Sequence, residues 1–320
     1  MSVKLNIVFP DGDAGDAERF SKQFQQLSDI SNFTLFQDTP ADSEEYLSRI
    51  KDADGILLGW NLPTEVMQAA SRLKVVSFTG IGVEKFVDIP VASQQGITVC
   101  NCPGYADDTV AEHTLALLFS ACRHVVSLDK QLRRGVWDQE KPAIELKGKS
   151  IGLIGFGGIG KRVSQICHAL GMSVKVWTPS MNPEYESQYN ISLCHLPELL
   201  ETSDIISLHV ASSERTRNLL DQKAFSQMKP GVVIVNTARG EIIEEGALLE
   251  SLQSGHVRCA AMDVFQNEPL PAEHPFCALD NVILSPHVAF NSPQAVENLY
   301  QIGVDNLLGF FSGKPQNSVN

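Results

Sequence analysis

Short runs of β-branched and aliphatic residues alternate along the chain with longer stretches whose apolar positions recur every three or four residues. That alternation predicts stacked βαβ units around parallel sheets. Two series are visible. In the first, strands are predicted at Leu5 to Phe9, Phe33 to Phe36, Gly55 to Trp60, Lys74 to Thr79 and Ile97 to Asn101, separated by helices such as Ala17 to Leu27 and Thr64 to Ser71. In the second, strands are predicted at Ser150 to Ile154, Ser173 to Thr178, Ile205 to Val210, Val232 to Asn236, Cys259 to Phe265 and Val282 to Ser285. Between the series lies Asp107 to Arg134, which reads as one helix joining two domains, its leading Asp107 and Asp108 suiting a helix N-terminus. At 1.5 Å per residue, a helix of about 25 residues spans roughly 40 Å. A last amphipathic stretch, Pro293 to Gly313, has no strand after it and must pack on a sheet already built, most simply that of the first series.

Composition narrows the partners. The chain has 320 residues, room for about two domains, and its 38 acidic against 25 basic side chains give a formal charge of −13, unfavourable for nucleic acid. No apolar run approaches the roughly 18 residues of a membrane span, and Met1 to Pro10 lacks the layout of a signal peptide, so a cytoplasmic location is expected. The seven cysteines are scattered, with no C-x-x-C pair, which fits reduced buried thiols better than a metal site at Cys100 and Cys102.

Two patterns carry chemistry. Gly155, Gly157 and Gly160 form G-x-G-x-x-G directly after a predicted strand and at the start of a predicted helix, which points to a dinucleotide phosphate site. Gly155 permits the tight turn, Gly157 lets the backbone approach a pyrophosphate, and Gly160 lets the helix pack closely. Where an acidic residue commonly holds the adenosine ribose, the chain has Thr178 followed by Pro179 and Ser180, which leaves NAD(H) and NADP(H) both open. The second pattern is positional. Arg239, Glu268 and His287 each follow one of the last three strands, so parallel pairing would bring them to one sheet edge. A guanidinium for a carboxylate or oxo group, an imidazole for proton transfer and a carboxylate to orient that imidazole suit reduction of a 2-oxo acid.

With these stretches together, and with Thr79-Gly80-Ile81-Gly82-Val83, Asn101 to Tyr105, Val110 to Thr114, Leu146 to Lys149, Asn236 to Gly240, Asp263 to Pro269 and Pro286-His287, the chain resembles the D-isomer-specific 2-hydroxyacid dehydrogenases, of the glyoxylate and hydroxypyruvate reductase kind. The resemblance implies an α/β fold of two doubly wound domains, a Rossmann NAD(P)-binding domain (residues 101–288) inserted into a flavodoxin-like substrate domain (residues 1–100 and 289–320). It implies catalysis by Arg239, Glu268 and His287, and a substrate carboxylate held by the backbone of Gly80, Ile81, Gly82 and Val83. Cofactor contacts are implied for Gly158 and Ile159 at the pyrophosphate, Thr178 near the ribose, Val210, Thr237 and Ala238 beside the nicotinamide, Asp263 at its carboxamide, and Thr109 nearby. A homodimer through Asp107 to Lys147 is implied as well, with Trp137 either in the core or across the interface.

Departures from the family pattern refine these expectations. The carboxylate of Glu268 argues against formate, for which the related enzymes carry Gln, and Gly55 to Asn61 offers no basic residue for a substrate phosphate. His209 to Ser212 lacks the Pro of many relatives, and Ala289-Phe290-Asn291 after His287 is unusual; Trp60 and Asn61 are candidate pocket residues, while His113 reads as a packed structural histidine. The expected substrate is a small unphosphorylated 2-oxo acid. An alternative of another class, a dinucleotide-sensing corepressor of the same fold, is weakened because the chain stops soon after its last helix.

Overall fold

The computed structural model describes residues 4–320. Met1 to Val3, the first residues of the stretch read for a signal peptide, lie outside the described residues. The chain forms two compact units, one ending at Ala106 and resuming over Ser292–Asn320, the other Asp107–Asn291.

The first unit holds a five-stranded parallel sheet of β1 (Leu5–Phe9), β2 (Ser31–Leu35), β3 (Gly55–Leu58), β4 (Val75–Phe78) and β5 (Thr98–Cys100), in the order β2-β1-β3-β4-β5. β3 and β4 are buried at every position, because helices cover both faces of the sheet. Successive side chains alternate between two cores. Ile56 and Leu58 pack with Tyr46, Val66 and Met67, whereas Leu57 packs with Phe24, Leu27 and Val304. The closing helix of the chain (Pro293–Phe311) packs on β3 and β4. Ser77 Oγ donates to the Gly303 carbonyl at 2.8 Å, and a Cβ on Gly303 would lie 2.8 Å from Leu57 Cδ1, so that side chain would have to shift.

The second unit holds a seven-stranded parallel sheet of β6 (Ser150–Ile154), β7 (Ser173–Trp177), β8 (Ser192–Leu193), β9 (Ile205–Leu208), β10 (Val232–Asn236), β11 (Val257–Met262) and β12 (Val282–Leu284). Its order, β12-β11-β10-β9-β6-β7-β8, reverses direction between β6 and β9, which is the Rossmann arrangement. The fold is therefore α/β, with two doubly wound parallel sheets.

The helix expected over Asp107 to Arg134 is two helices, α1 (Asp107–Arg123) and α2 (Val125–Arg133). His124 interrupts them in the left-handed region, at φ 58°, where the ladder of i to i−4 hydrogen bonds cannot continue. α1 buries Val110, Ala111, Thr114, Leu115, Leu117, Leu118, Ala121 and Cys122, while α2 buries no residue. Likewise, the first predicted helix is cut after Arg19, and the short β8 escaped the sequence pattern. No helix among the described residues is long and apolar enough to cross a membrane.

Candidate active site

At the switch point of the second sheet, β6 runs into Gly155 and then into α3 (Gly158–Ala169). Gly155 has φ 104°, and a Cβ there would fall 2.5 Å from the carbonyl carbon of His209, so only glycine fits. A Cβ on Gly160 would lie 2.6 Å from Gly155 O, which is how closely the helix approaches the turn. Gly157, the N-cap, faces open space and offers no side-chain cap. The amides of Gly158, Ile159 and Gly160 therefore end the helix without a protein acceptor among the described residues, an arrangement suited to an anion. These features fit a dinucleotide pyrophosphate. Val210, just after β9, and Thr178, just after β7, are both buried on the flanking strands.

The next strands carry the catalytic candidates at their carboxyl ends. His287 Nδ1 lies 2.7 Å from Glu268 Oε2, while Glu268 Oε1 accepts the Phe265 amide at 2.9 Å. The carboxylate is thus anchored at one oxygen and orients the imidazole with the other. The other ring nitrogen of His287, Nε2, has no partner among the described residues, and 40% of the side chain is exposed. Arg239, after β10, is half-buried and donates from Nη1 to the carbonyl of Ala238 at 2.6 Å. The three residues follow neighbouring strands β10, β11 and β12, but only Glu268 and His287 are bonded to each other.

His287 sits at φ 51°, unusual for a non-glycine residue, and Asp263 is the main reason it stays there. The Asp263 carbonyl accepts the His287 amide at 2.8 Å. Its fully buried carboxylate accepts Ser285 Oγ at 2.5 Å, the Val288 amide at 3.1 Å and the Ala289 amide at 2.9 Å, with His113 Nε2 at 3.4 Å. Burial alone would raise this carboxyl, but donors from His113, Ser285, Ala289 and Val288 outweigh it and hold it below the usual range. His113, in turn, lies 3.0 Å from Ser285 Oγ. Thr237 is likewise engaged, its hydroxyl 2.8 Å from that of Thr114. Ala238 is half-buried, as is Thr109 in the first turn of α1.

In the first unit, the turn after β4 carries Gly80 to Val83. Gly80 and Val83 spend their amides on Phe78 O and Ile81 O, each at 3.0 Å, so only the amides of Ile81 and Gly82 are left without a protein acceptor among the described residues. In this turn, expected to hold a carboxylate by its backbone, two of the four amides are thus engaged by nearby carbonyls. Asp11, two residues after β1, accepts the amides of Gly59 and Trp60, which follow β3, at 2.9 and 2.8 Å and so fixes the turn that leaves Trp60 55% exposed. Burial pushes the Asp11 carboxyl up to about 6 despite those two amides. Neither Asp11 nor the Ser285 hydroxyl stands out in the sequence, because their partners are distant along the chain.

The sequence pattern of the D-isomer specific 2-hydroxyacid dehydrogenase NAD binding domain matches residues 115–289. The chain belongs to that family of dehydrogenases. It is 34% identical over 317 residues to the glyoxylate reductase of Aeropyrum pernix, covering 95% of this chain and 94% of the relative. It is 36% identical over 286 residues to the D-3-phosphoglycerate dehydrogenase of Archaeoglobus fulgidus, covering 88% of this chain but 54% of that enzyme, so it spans about half the length of that relative. Among solved structures, an acyclic imino acid reductase in complex with NADPH and D-Arg is 30% identical, with a TM-score of 0.86 and coverage of 99% of this chain and 100% of that one. The dehydrogenase fold and a nicotinamide dinucleotide cofactor follow from these matches.

Proposed function

We propose that the chain interconverts a small unphosphorylated 2-oxo acid, of the glyoxylate or hydroxypyruvate kind, and the corresponding D-2-hydroxy acid, with NAD(H) or NADP(H) as cofactor. The observation that carries this is the Glu268–His287 pair at 2.7 Å, whose unpartnered Nε2 is left for proton exchange. When bound, the nicotinamide supplies the hydride to C2 of the oxo acid or takes it from the hydroxy acid. His287 Nε2 gives a proton to the forming alkoxide in reduction and takes it back in oxidation. Glu268 fixes the tautomer and the ring plane by accepting from Nδ1.

Arg239 presents a planar fork to the substrate carboxylate or oxo group. In the first unit, the amides of Ile81 and Gly82 are left to take a carboxylate, on a turn that Gly80 and Val83 shape. Gly158, Ile159 and Gly160 receive the pyrophosphate on the loop that Gly155 and Gly157 form, Thr178 lies by the adenosine ribose, and Val210, Thr237 and Ala238 flank the nicotinamide, with Thr109 nearby. Asp263 lies by the nicotinamide carboxamide and holds the His287 turn through its backbone carbonyl and its carboxylate. A second copy of the chain completes the assembly, supported by the exposed side chains of Val125, Leu132, Val136 and Trp137.

The test is NADH and NADPH oxidation against glyoxylate, hydroxypyruvate, pyruvate, phenylpyruvate and 2-oxoisocaproate, with His287→Ala beside the wild type. Turnover of one acid that falls at least about a hundredfold in the variant, with dinucleotide binding retained, is expected. Normal turnover by His287→Ala would remove the imidazole from the mechanism.

A further inference from the structure

Two aspartates open α1, and the structure gives them different fates. Asp108 pairs with Arg162 of α3, Oδ1 to Nε at 2.6 Å. Asp107 has no hydrogen-bond or ion-pair partner among the described residues and leans on the first residue of α3 instead. A Cβ built on Gly158 would lie 1.7 Å from Asp107 Oδ2, 2.4 Å from Cγ and 2.9 Å from Oδ1. The carboxylate thus covers the α-carbon of Gly158, at the end of α3 where three amides lack an acceptor.

An acidic first turn is ordinarily explained by the dipole of its own helix. That account requires neither the contact with Gly158 nor the absence of a donor. Burial, and then the negative charge of Asp108, hold the Asp107 carboxyl above its usual range, so the position is costly for an anion even before a second one arrives. Arg162, the nearby cation on α3, is already engaged by Asp108.

We propose that Asp107 competes with the cofactor pyrophosphate for the amino end of α3, and so sets dinucleotide affinity below what the glycine loop alone would provide. This rests on the placement of the cofactor at Gly155 to Gly160 proposed above. Two anions sharing one helix terminus repel each other, and removing one charge from a partly exposed site of this kind is worth about tenfold in affinity. Fast release of the spent cofactor is the functional return, since product release limits turnover in many enzymes.

The experiment is calorimetric titration of NADH and NADPH into wild type, Asp107→Asn, Asp107→Ala and Asp107→Glu at low and high salt, with thermal melts to confirm folding. Asn and Ala variants are both expected to bind about tenfold more tightly than wild type, which separates loss of charge from gain of an amide donor. The difference should shrink as salt rises, and Asp107→Glu should restore weaker binding. Affinity unchanged or weakened in both neutral variants overturns the proposal while leaving the dinucleotide site in place. If the wild type binds neither nucleotide, the placement of the cofactor at the glycine loop fails first, and the competition falls with it.

Discussion

Asp263→Asn tests whether one buried carboxylate holds the turn that carries His287. The wild-type side chain has no solvent exposure and takes hydrogen bonds from Ser285, Val288 and Ala289, with His113 close by. Asparagine keeps the shape but turns one acceptor oxygen into a donor. At least one buried donor then loses its partner, at about 1–3 kcal/mol, and each remaining bond falls from the charge-assisted range to the neutral one, about 1 kcal/mol apiece. Relief from burying a charge offsets part of this, leaving a net loss of about 3 kcal/mol. Such a loss is a large share of the 5–15 kcal/mol typical of a folded domain. Urea unfolding followed by circular dichroism measures it, and amide exchange at Val288 and Ala289 reports whether the turn itself has loosened. The pH dependence gives a second check on sign. Because the folded-state carboxyl lies below its ordinary value, its contribution is complete above the unfolded pKa, about 3.9, and is lost as pH falls through the lower folded value. The gap between wild type and variant should therefore narrow in acid. A variant within about 1 kcal/mol of wild type at neutral pH, with Val288 and Ala289 still protected, would refute the reasoning.

Two further predictions follow from close contacts and exposed surface. Gly240→Ala places a Cβ 2.0 Å from the backbone carbon of Phe265, in the segment that anchors Glu268, so a loss of about 3 kcal/mol or more is expected by thermal melting. Gly246→Ala, with nothing within 4 Å and a helical position, serves as control and should be neutral or stabilising by up to about 1 kcal/mol. Trp137 is 75% exposed and Leu132 56%, so sedimentation equilibrium should show a dimer for the wild type and a monomer for the double change Leu132→Glu and Trp137→Glu. A monomeric wild type at micromolar concentration would count against the second copy.

What could be read in the sequence follows from the range over which each feature is decided. Strands buried on both faces write themselves as apolar runs, and β6 and β10 match their predicted bounds for that reason. The two-residue β8 is too short to leave such a run. The break at His124 was hidden because apolar spacing continues across it and neither glycine nor proline marks the left-handed residue. Arg239, Glu268 and His287 could be placed on one edge because parallel pairing of successive strands fixes where their ends fall. Hydrogen bonding within turns was out of reach: nothing in Thr79 to Val83 says that Gly80 and Val83 consume their own amides.

Asp107 and Asp108 mark the limit most clearly. Adjacent and chemically identical, they are indistinguishable as a helix-opening pair, yet one neutralises Arg162 and the other crowds Gly158. Which does which depends on how α1 lies across α3, a packing decided by apolar residues such as Leu115, Leu118 and Val163 in their shared core. The same holds for Asp11, whose partners Gly59 and Trp60 are 48 and 49 residues away. Motif glycines announce where an anion can bind because their requirement is local to the backbone. The charges that modulate that binding arrive through packing, so they become visible only when the helices that carry them are placed.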